Sequence, residues 1–190
     1  KLDPNMNVTA NNINYGENAV FNVVLPSDAT GTVSVTVGTK SGSATVSKGR
    51  ATISISGLTK GDYSYTVTYA GNSKYSSDTK TSTISVAKTE TTFTVAPIGN
   101  INVGDSANFI ISGLPSDANG IVTVVVGEAS NSTQVNNGAA SIIITMLAEG
   151  TYNAEISYSN DNNYMADSQN IQFSVNKITP TMSVSVSNIK

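Results

Sequence analysis

Leu58-Thr59-Lys60-Gly61-Asp62-Tyr63 leads into Tyr65, Val67 and Tyr69, and 89 residues on Leu147-Ala148-Glu149-Gly150-Thr151-Tyr152 leads into Ala154, Ile156 and Tyr158. Both stretches share the pattern Leu-x-x-Gly-x-Tyr, and after it the apolar residues fall at every second position. A period of two sends alternate side chains to opposite faces, which specifies a half-buried strand and not a helix.

The spacing also resembles a tyrosine corner, where a phenol hydroxyl bonds backbone a few residues upstream and pins the crossover between two sheets. The candidates are Leu58, Gly61 and Tyr63 in the first copy and Leu147, Gly150 and Tyr152 in the second. A large ring with a polar end partly substitutes for a Trp or a disulfide pin.

The same offset relates many other landmarks. Pro26-Ser27-Asp28-Ala29-Thr30-Gly31 recurs as Pro115-Ser116-Asp117-Ala118-Asn119-Gly120. Pro26, Asp28, Gly31, Pro115, Asp117 and Gly120 therefore mark one repeated turn. Gly38, Gly49, Tyr75, Asp78 and Val86 return as Gly127, Gly138, Tyr164, Asp167 and Val175. A repeat of this length is the first organising fact of the chain.

Between the landmarks the apolar alternation continues. Ala19, Phe21, Val23 and Leu25 answer to Ala107, Phe109 and Ile111; Val33, Val35 and Val37 answer to Val122, Val124 and Val126. Ala51, Ile53 and Ile55 match Ala140, Ile142 and Ile144, and Ile84 and Val86 match Phe173 and Val175. With a first strand near Met6 to Ala10 and a short one near Ser43 to Ser47, each copy holds about seven strands, the spacing of a β-sandwich. The expected architecture is all-β: one sandwich over 1–88, a second over 89–177, and short linkers. Residues 178–190 begin a third copy, since Lys177-Ile178-Thr179-Pro180-Thr181-Met182-Ser183-Val184 parallels Lys1-Leu2-Asp3-Pro4-Asn5-Met6-Asn7-Val8.

Composition narrows the function. The chain has 190 residues with no His, Cys or Trp, and carries 26 Ser, 23 Thr and 22 Asn against 5 Leu. Without Cys there is no disulfide, iron–sulfur cluster or thiol nucleophile, and without His the Ser-His-Asp triad and the usual zinc sites are closed. No glycine-rich nucleotide motif occurs, and no acidic pair recurs in a context that marks one glycosidase cleft. No enzyme activity and no cofactor are expected. A net charge of −3 with a single Arg, Arg50, excludes a nucleic-acid reader, which needs clustered cations. No apolar run is long enough to span a bilayer. The first residues are neither an initiator Met nor a signal peptide, so the sequence reads as a segment of a longer or processed chain.

Taken together, the tandem copies, Pro-Ser-Asp-Ala-x-Gly, Leu-x-x-Gly-x-Tyr and Tyr69-Ala70-Gly71-Asn72-Ser73-Lys74-Tyr75 resemble the immunoglobulin-like repeats of large prokaryotic surface proteins, most of all the adhesin-like proteins of methanogenic archaea. The resemblance covers essentially the whole chain. It implies tandem immunoglobulin-like β-sandwiches, an extracellular place on the cell surface, and a role as stalk or adhesive fibre in cell adhesion. It carries no catalytic residues. The partners it implies are neighbouring immunoglobulin-like repeats or copies of the same chain, and another cell surface or a glycan.

Asn160-Asp161-Asn162-Asn163 offers oxygen ligands to Ca²⁺, but with one formal charge and no bidentate Glu it reads as a solvated turn, so no metal is expected. An isopeptide staple would need a Lys beside an Asn, and Asn22 falls on the outward face, with Lys88 and Lys177 at the copy borders. Asn7-Val8-Thr9 and Asn131-Ser132-Thr133 are N-glycosylation sequons at Asn7 and Asn131. Residues 1–88 carry 8 basic and 5 acidic groups while 89–177 carry 1 and 8, an asymmetry that reads either as drift on solvated surfaces or as contact between basic first and acidic second copies of neighbouring chains. Met182, Val184 and Val186 share one face of a strand without its own domain. It either opens the next repeat or adds to a neighbour's sheet in a self-assembling filament or sheath.

Overall fold

The computed structural model describes residues 1–185. These residues group into two compact units: Lys1–Glu90 with Asn162–Met165, and Thr91–Asp161 with the residues from Ala166. Among the described residues no helix is long and apolar enough to cross a membrane.

The first unit contains β1 (Asn7–Ala10), β2 (Ile13–Asn14), β3 (Ala19–Val24), β4 (Thr32–Val37), β5 (Lys40–Thr45), β6 (Arg50–Ile55), β7 (Gly61–Tyr69) and β8 (Asp78–Ala87). They form a three-stranded sheet, β1-β3-β6, and a five-stranded sheet, β2-β8-β7-β4-β5. The alternation seen in the sequence becomes alternation of burial: β3 reads buried-exposed from Ala19 to Val24, and β4 does the same out of phase. One cluster of buried side chains joins both sheets, with Phe21, Val23, Ile53 and Ile55 from one and Val33, Val35, Val37, Val67, Tyr69 and Ile84 from the other. Phe21 and Tyr65 meet edge to face with ring centroids 4.9 Å apart. A fully buried ring such as Phe21 contributes about 2–3 kcal/mol of hydrophobic stabilisation.

The second unit repeats the plan with β9 (Thr94–Val95), β10 (Ile101–Asn102), β11 (Ala107–Ser112), β12 (Ile121–Val126), β13 (Ala129–Gln134), β14 (Ala140–Ile144), β15 (Gly150–Ser159) and β16 (Asp167–Asn176). Its sheets are β14-β11-β9 and β10-β16-β15-β12-β13. Phe109 and Phe173 face each other across the core, edge to face at 6.0 Å. Each unit is thus an immunoglobulin-like β-sandwich.

Each copy has eight strands where the alternation gave about seven, because the first strand breaks in two and serves both sheets. β1 runs antiparallel to β3, and after a two-residue crossing β2 runs parallel to β8. At the crossing the Asn12 side-chain oxygen accepts the Ser85 backbone N–H at 2.9 Å, so a carboxamide fills the ladder position that the strand leaves. The second unit does the same with Asn100 and Ser174 at 3.2 Å, and there Pro97, which has no N–H, follows the short β9. The strand placed near Ser43 is longer than expected, running as β5 from Lys40 and pairing with β4 through a tight hairpin.

Beyond β16 the described chain, 177–185, forms no strand. Met182 and Val184 are 88% and 75% exposed. Val186 lies outside the described residues.

Candidate functional site

The corner tyrosines stand two residues into β7 and β15. Tyr63 Oη donates to the Thr59 carbonyl at 3.0 Å and lies 2.9 Å from the Thr59 hydroxyl oxygen. Tyr152 Oη donates to the Ala148 carbonyl, also at 3.0 Å. Leu58 and Leu147 are buried beneath these loops, and the Tyr152 ring stacks on Phe173 at 5.9 Å. Gly61 and Gly150 open β7 and β15 with φ of 157° in both.

The Pro-Ser-Asp turns close by a bond from Ala29 N to the Pro26 carbonyl at 2.9 Å and from Ala118 N to the Pro115 carbonyl at 3.0 Å. In the first unit Asp28 reaches from the turn to the loop after β7. Its Oδ1 accepts from Tyr75 Oη at 2.7 Å, and its Oδ2 pairs with the Lys74 ammonium, which also stands 5.2 Å from the centre of the Tyr75 ring. The loop is shaped for this by Asn72, whose side-chain oxygen accepts from Lys74 N at 2.8 Å and Tyr75 N at 2.7 Å. Tyr69 Oη adds a bond to the Thr30 carbonyl at 2.7 Å. Hydrogen bonds from Lys74 first, then Tyr75, hold the Asp28 carboxyl below its ordinary range, and the same contact raises Lys74. Burial pushes the Tyr69 phenol up. Pairing across 46 and 47 residues leaves no local spacing to read, so the sequence marked the turn and the loop without joining them.

The second unit builds the corresponding loop differently. Asp161 takes the place of Asn72 and is 4% exposed. Its Oδ2 accepts from Asn119 N at 2.8 Å and from Tyr158 Oη at 2.5 Å. The solvated turn expected at Asn160–Asn163 is therefore incorrect for Asp161, which the Asn119 backbone and the Tyr158 phenol draw inward. Gly120 makes room for this packing: a Cβ there would stand 2.4 Å from the Ser159 carbonyl oxygen and 2.6 Å from the Tyr158 ring. No group of three His, Cys, Asp or Glu able to hold a metal ion occurs among the described residues.

The remaining candidates are dispersed. Asn7 heads β1 and is exposed. Asn131 lies exposed in β13, its amide nitrogen donating to the Ile143 carbonyl at 3.1 Å. Asn22 is exposed on β3 and accepts from the Thr52 hydroxyl at 3.0 Å, while Lys177 pairs with Glu149 at 2.9 Å. Asp28, Lys74 and Tyr75 form a latch between the first unit's turn and the loop after β7, and each corner tyrosine bonds its own upstream carbonyl, so chemically these residues hold loops.

Residues 6–87 match the family model of the Bacterial Ig-like domain (group 3). No curated protein matches the chain. Among solved structures the chain is similar to the fibronectin(III)-like modules of Clostridium thermocellum CbhA, with 14% identity over 95% of this chain and 100% of that one and a TM-score of 0.40. It is similar to a titin segment at 14% identity, over 90% of this chain and 97% of that one, TM-score 0.41. Activated alpha-2-macroglobulin of Escherichia coli is a third, at 8% identity over 93% of this chain and 22% of that one, TM-score 0.42.

Proposed function

We propose that this chain is a non-catalytic segment of an extracellular, cell-surface adhesin-like protein of the kind methanogenic archaea carry, serving as a semi-rigid stalk for cell adhesion. The observation that carries the reading is duplication: one immunoglobulin-like sandwich occurs twice, with the same sheet orders and the same strand registers. A unit whose loops are bonded to each other and whose strands face outward with Ser, Thr and Asn is suited to be multiplied for reach. The match of residues 6–87 to a bacterial immunoglobulin-like family supports the same reading. Its partners are neighbouring repeats or copies of the chain, and a cell surface or glycan at the far end. Antibodies to residues 1–177 applied to intact producing cells test it. Surface labelling that a brief protease treatment removes is expected, and labelling only after lysis contradicts the reading.

A second reading, a self-assembling filament, is favoured by one observation. Met182 and Val184 are the sequence counterparts of Met6 and Val8, yet Met6 is 4% exposed inside its sandwich while Met182 is 88% exposed. Segment 181–190 then acts as a strand for a neighbour's open sheet edge. Deleting 178–190 abolishes assembly on this reading, and unchanged assembly rejects it.

A further inference from the structure

We propose that the cleft at the break between β1 and β2 is a binding site for a neutral saccharide. The cleft has a volume of about 380 Å³ and is lined by Asn11, Asn12, Asn18, Asn22, Glu17 and Val20 among others, within the ~300–1,000 Å³ range of small-ligand sites. Four carboxamides in one cleft define its chemistry. Each offers a donor and an acceptor, which matches a sugar hydroxyl that both gives and accepts a hydrogen bond. No cation lines the cleft, so an anionic ligand finds no counter-charge. One carboxylate falls well short of the oxygen set a Ca²⁺ ion requires. Val20, 39% exposed, gives the C–H face of a pyranose ring an apolar rest.

Structural work explains some of these residues and not others. Asn12 caps the Ser85 N–H, the Glu17 carboxylate accepts from Asn14 N at 2.6 Å, and Asn22 accepts from Thr52. Asn11 and Asn18 are exposed at the cleft and hold no side-chain hydrogen bond within the described residues. The second unit separates the two classes. Asn100 and Asp105 stand at the positions of Asn12 and Glu17 and make the same bonds, their side-chain oxygens accepting from Ser174 N and Asn102 N. Gly99, Ser106 and Ile110 replace Asn11, Asn18 and Asn22. The bonds that shape the strand break are thus present in both copies, while the surplus amides occur only in the first.

This site is independent of the stalk reading, which stands or falls on surface exposure. The test is a nuclear magnetic resonance titration of the ¹⁵N-labelled chain with four neutral disaccharides: N,N′-diacetylchitobiose, cellobiose, lactose and mannobiose. Concentrations run to about 50 mM, enough to fill a site of millimolar Kd. At least one sugar is expected to shift the side-chain amides of Asn11 and Asn18 along a saturable curve while Gly99 and Ser106 stay fixed. The double variant Asn11→Ala, Asn18→Ala should bind at least about tenfold more weakly, the loss of two neutral hydrogen bonds, with an unchanged melting temperature. The proposal is overturned if no sugar gives a saturable shift there, if Gly99 and Ser106 respond equally, or if the double variant binds undiminished. Shifts produced by calcium chloride in the absence of sugar also overturn it.

Discussion

Tyr75 Oη donates to Asp28 Oδ1 at 2.7 Å, across 47 residues of sequence. That bond, with the Lys74 ammonium on the other carboxylate oxygen, ties the Pro-Ser-Asp turn to the loop following β7. Two loops far apart in sequence are thereby joined at one end of the sandwich.

The latch has a pH dependence with a definite sign. Lys74 first and Tyr75 second hold the folded Asp28 carboxyl below its ordinary value, so its contribution is fully present above the unfolded pKa of about 3.9 and is lost as pH falls through the lower folded value. Urea denaturation at pH 7 should show Asp28→Asn less stable than the parent, with the gap closing below about pH 4. The effect is small because the pair is about half exposed. A gap that stays constant down to pH 3 counts against the latch.

The corner bonds predict matched losses in the two units. Tyr63→Phe and Tyr152→Phe each remove one bond to an upstream carbonyl and keep the ring. Each should cost about 1 kcal/mol in the transition of its own unit, and the double variant should show both losses undiminished, since the sites share no partner. Equilibrium denaturation reads both.

At Asp161 the identity of the replacement decides the outcome. Asp161→Asn keeps an oxygen to accept from Tyr158 Oη and Asn119 N, as Asn72 does for its own loop, and should cost less than about 1 kcal/mol. Asp161→Ala leaves both donors without that acceptor and should cost about 2–4 kcal/mol. Equal losses in the two variants would show that packing, and not the bonds, holds the loop.

Gly120 and Gly99 give a steric pair. A methyl at Gly120 collides with the Ser159 carbonyl and the Tyr158 ring, whereas at Gly99 nothing lies within 4 Å. Gly120→Ala should cost about 1–3 kcal/mol through forced backbone shifts, and Gly99→Ala should stay within about 0.5 kcal/mol. Thermal unfolding of the two variants distinguishes them.

The strands that carry the core were legible because their chemistry is local: Val33, Val35 and Val37 announce a face by alternation, and their counterparts Val122, Val124 and Val126 repeat it. The parallel pieces Ile13–Asn14 and Ile101–Asn102 were not, because two residues have no period and their place is set by Asn12 and Asn100 capping a strand more than seventy residues away. β5 was placed only in part, since Ser41, Gly42 and Ser43 carry no apolar signal and the hairpin with β4 supplies the pairing. The Asp28 latch and the burial of Asp161 stayed hidden for a related reason. An Asn- and Asp-rich run looks like a wet loop until the Asn119 backbone N–H, 42 residues upstream, is brought against Asp161 by the fold.

If each sandwich is a separate unit of a stalk, pulling the chain by its ends in single-molecule force spectroscopy gives two discrete unfolding events, each releasing on the order of 250–300 Å of contour for about 89 residues. A single event for the whole chain, or extension without any force peak, would contradict it.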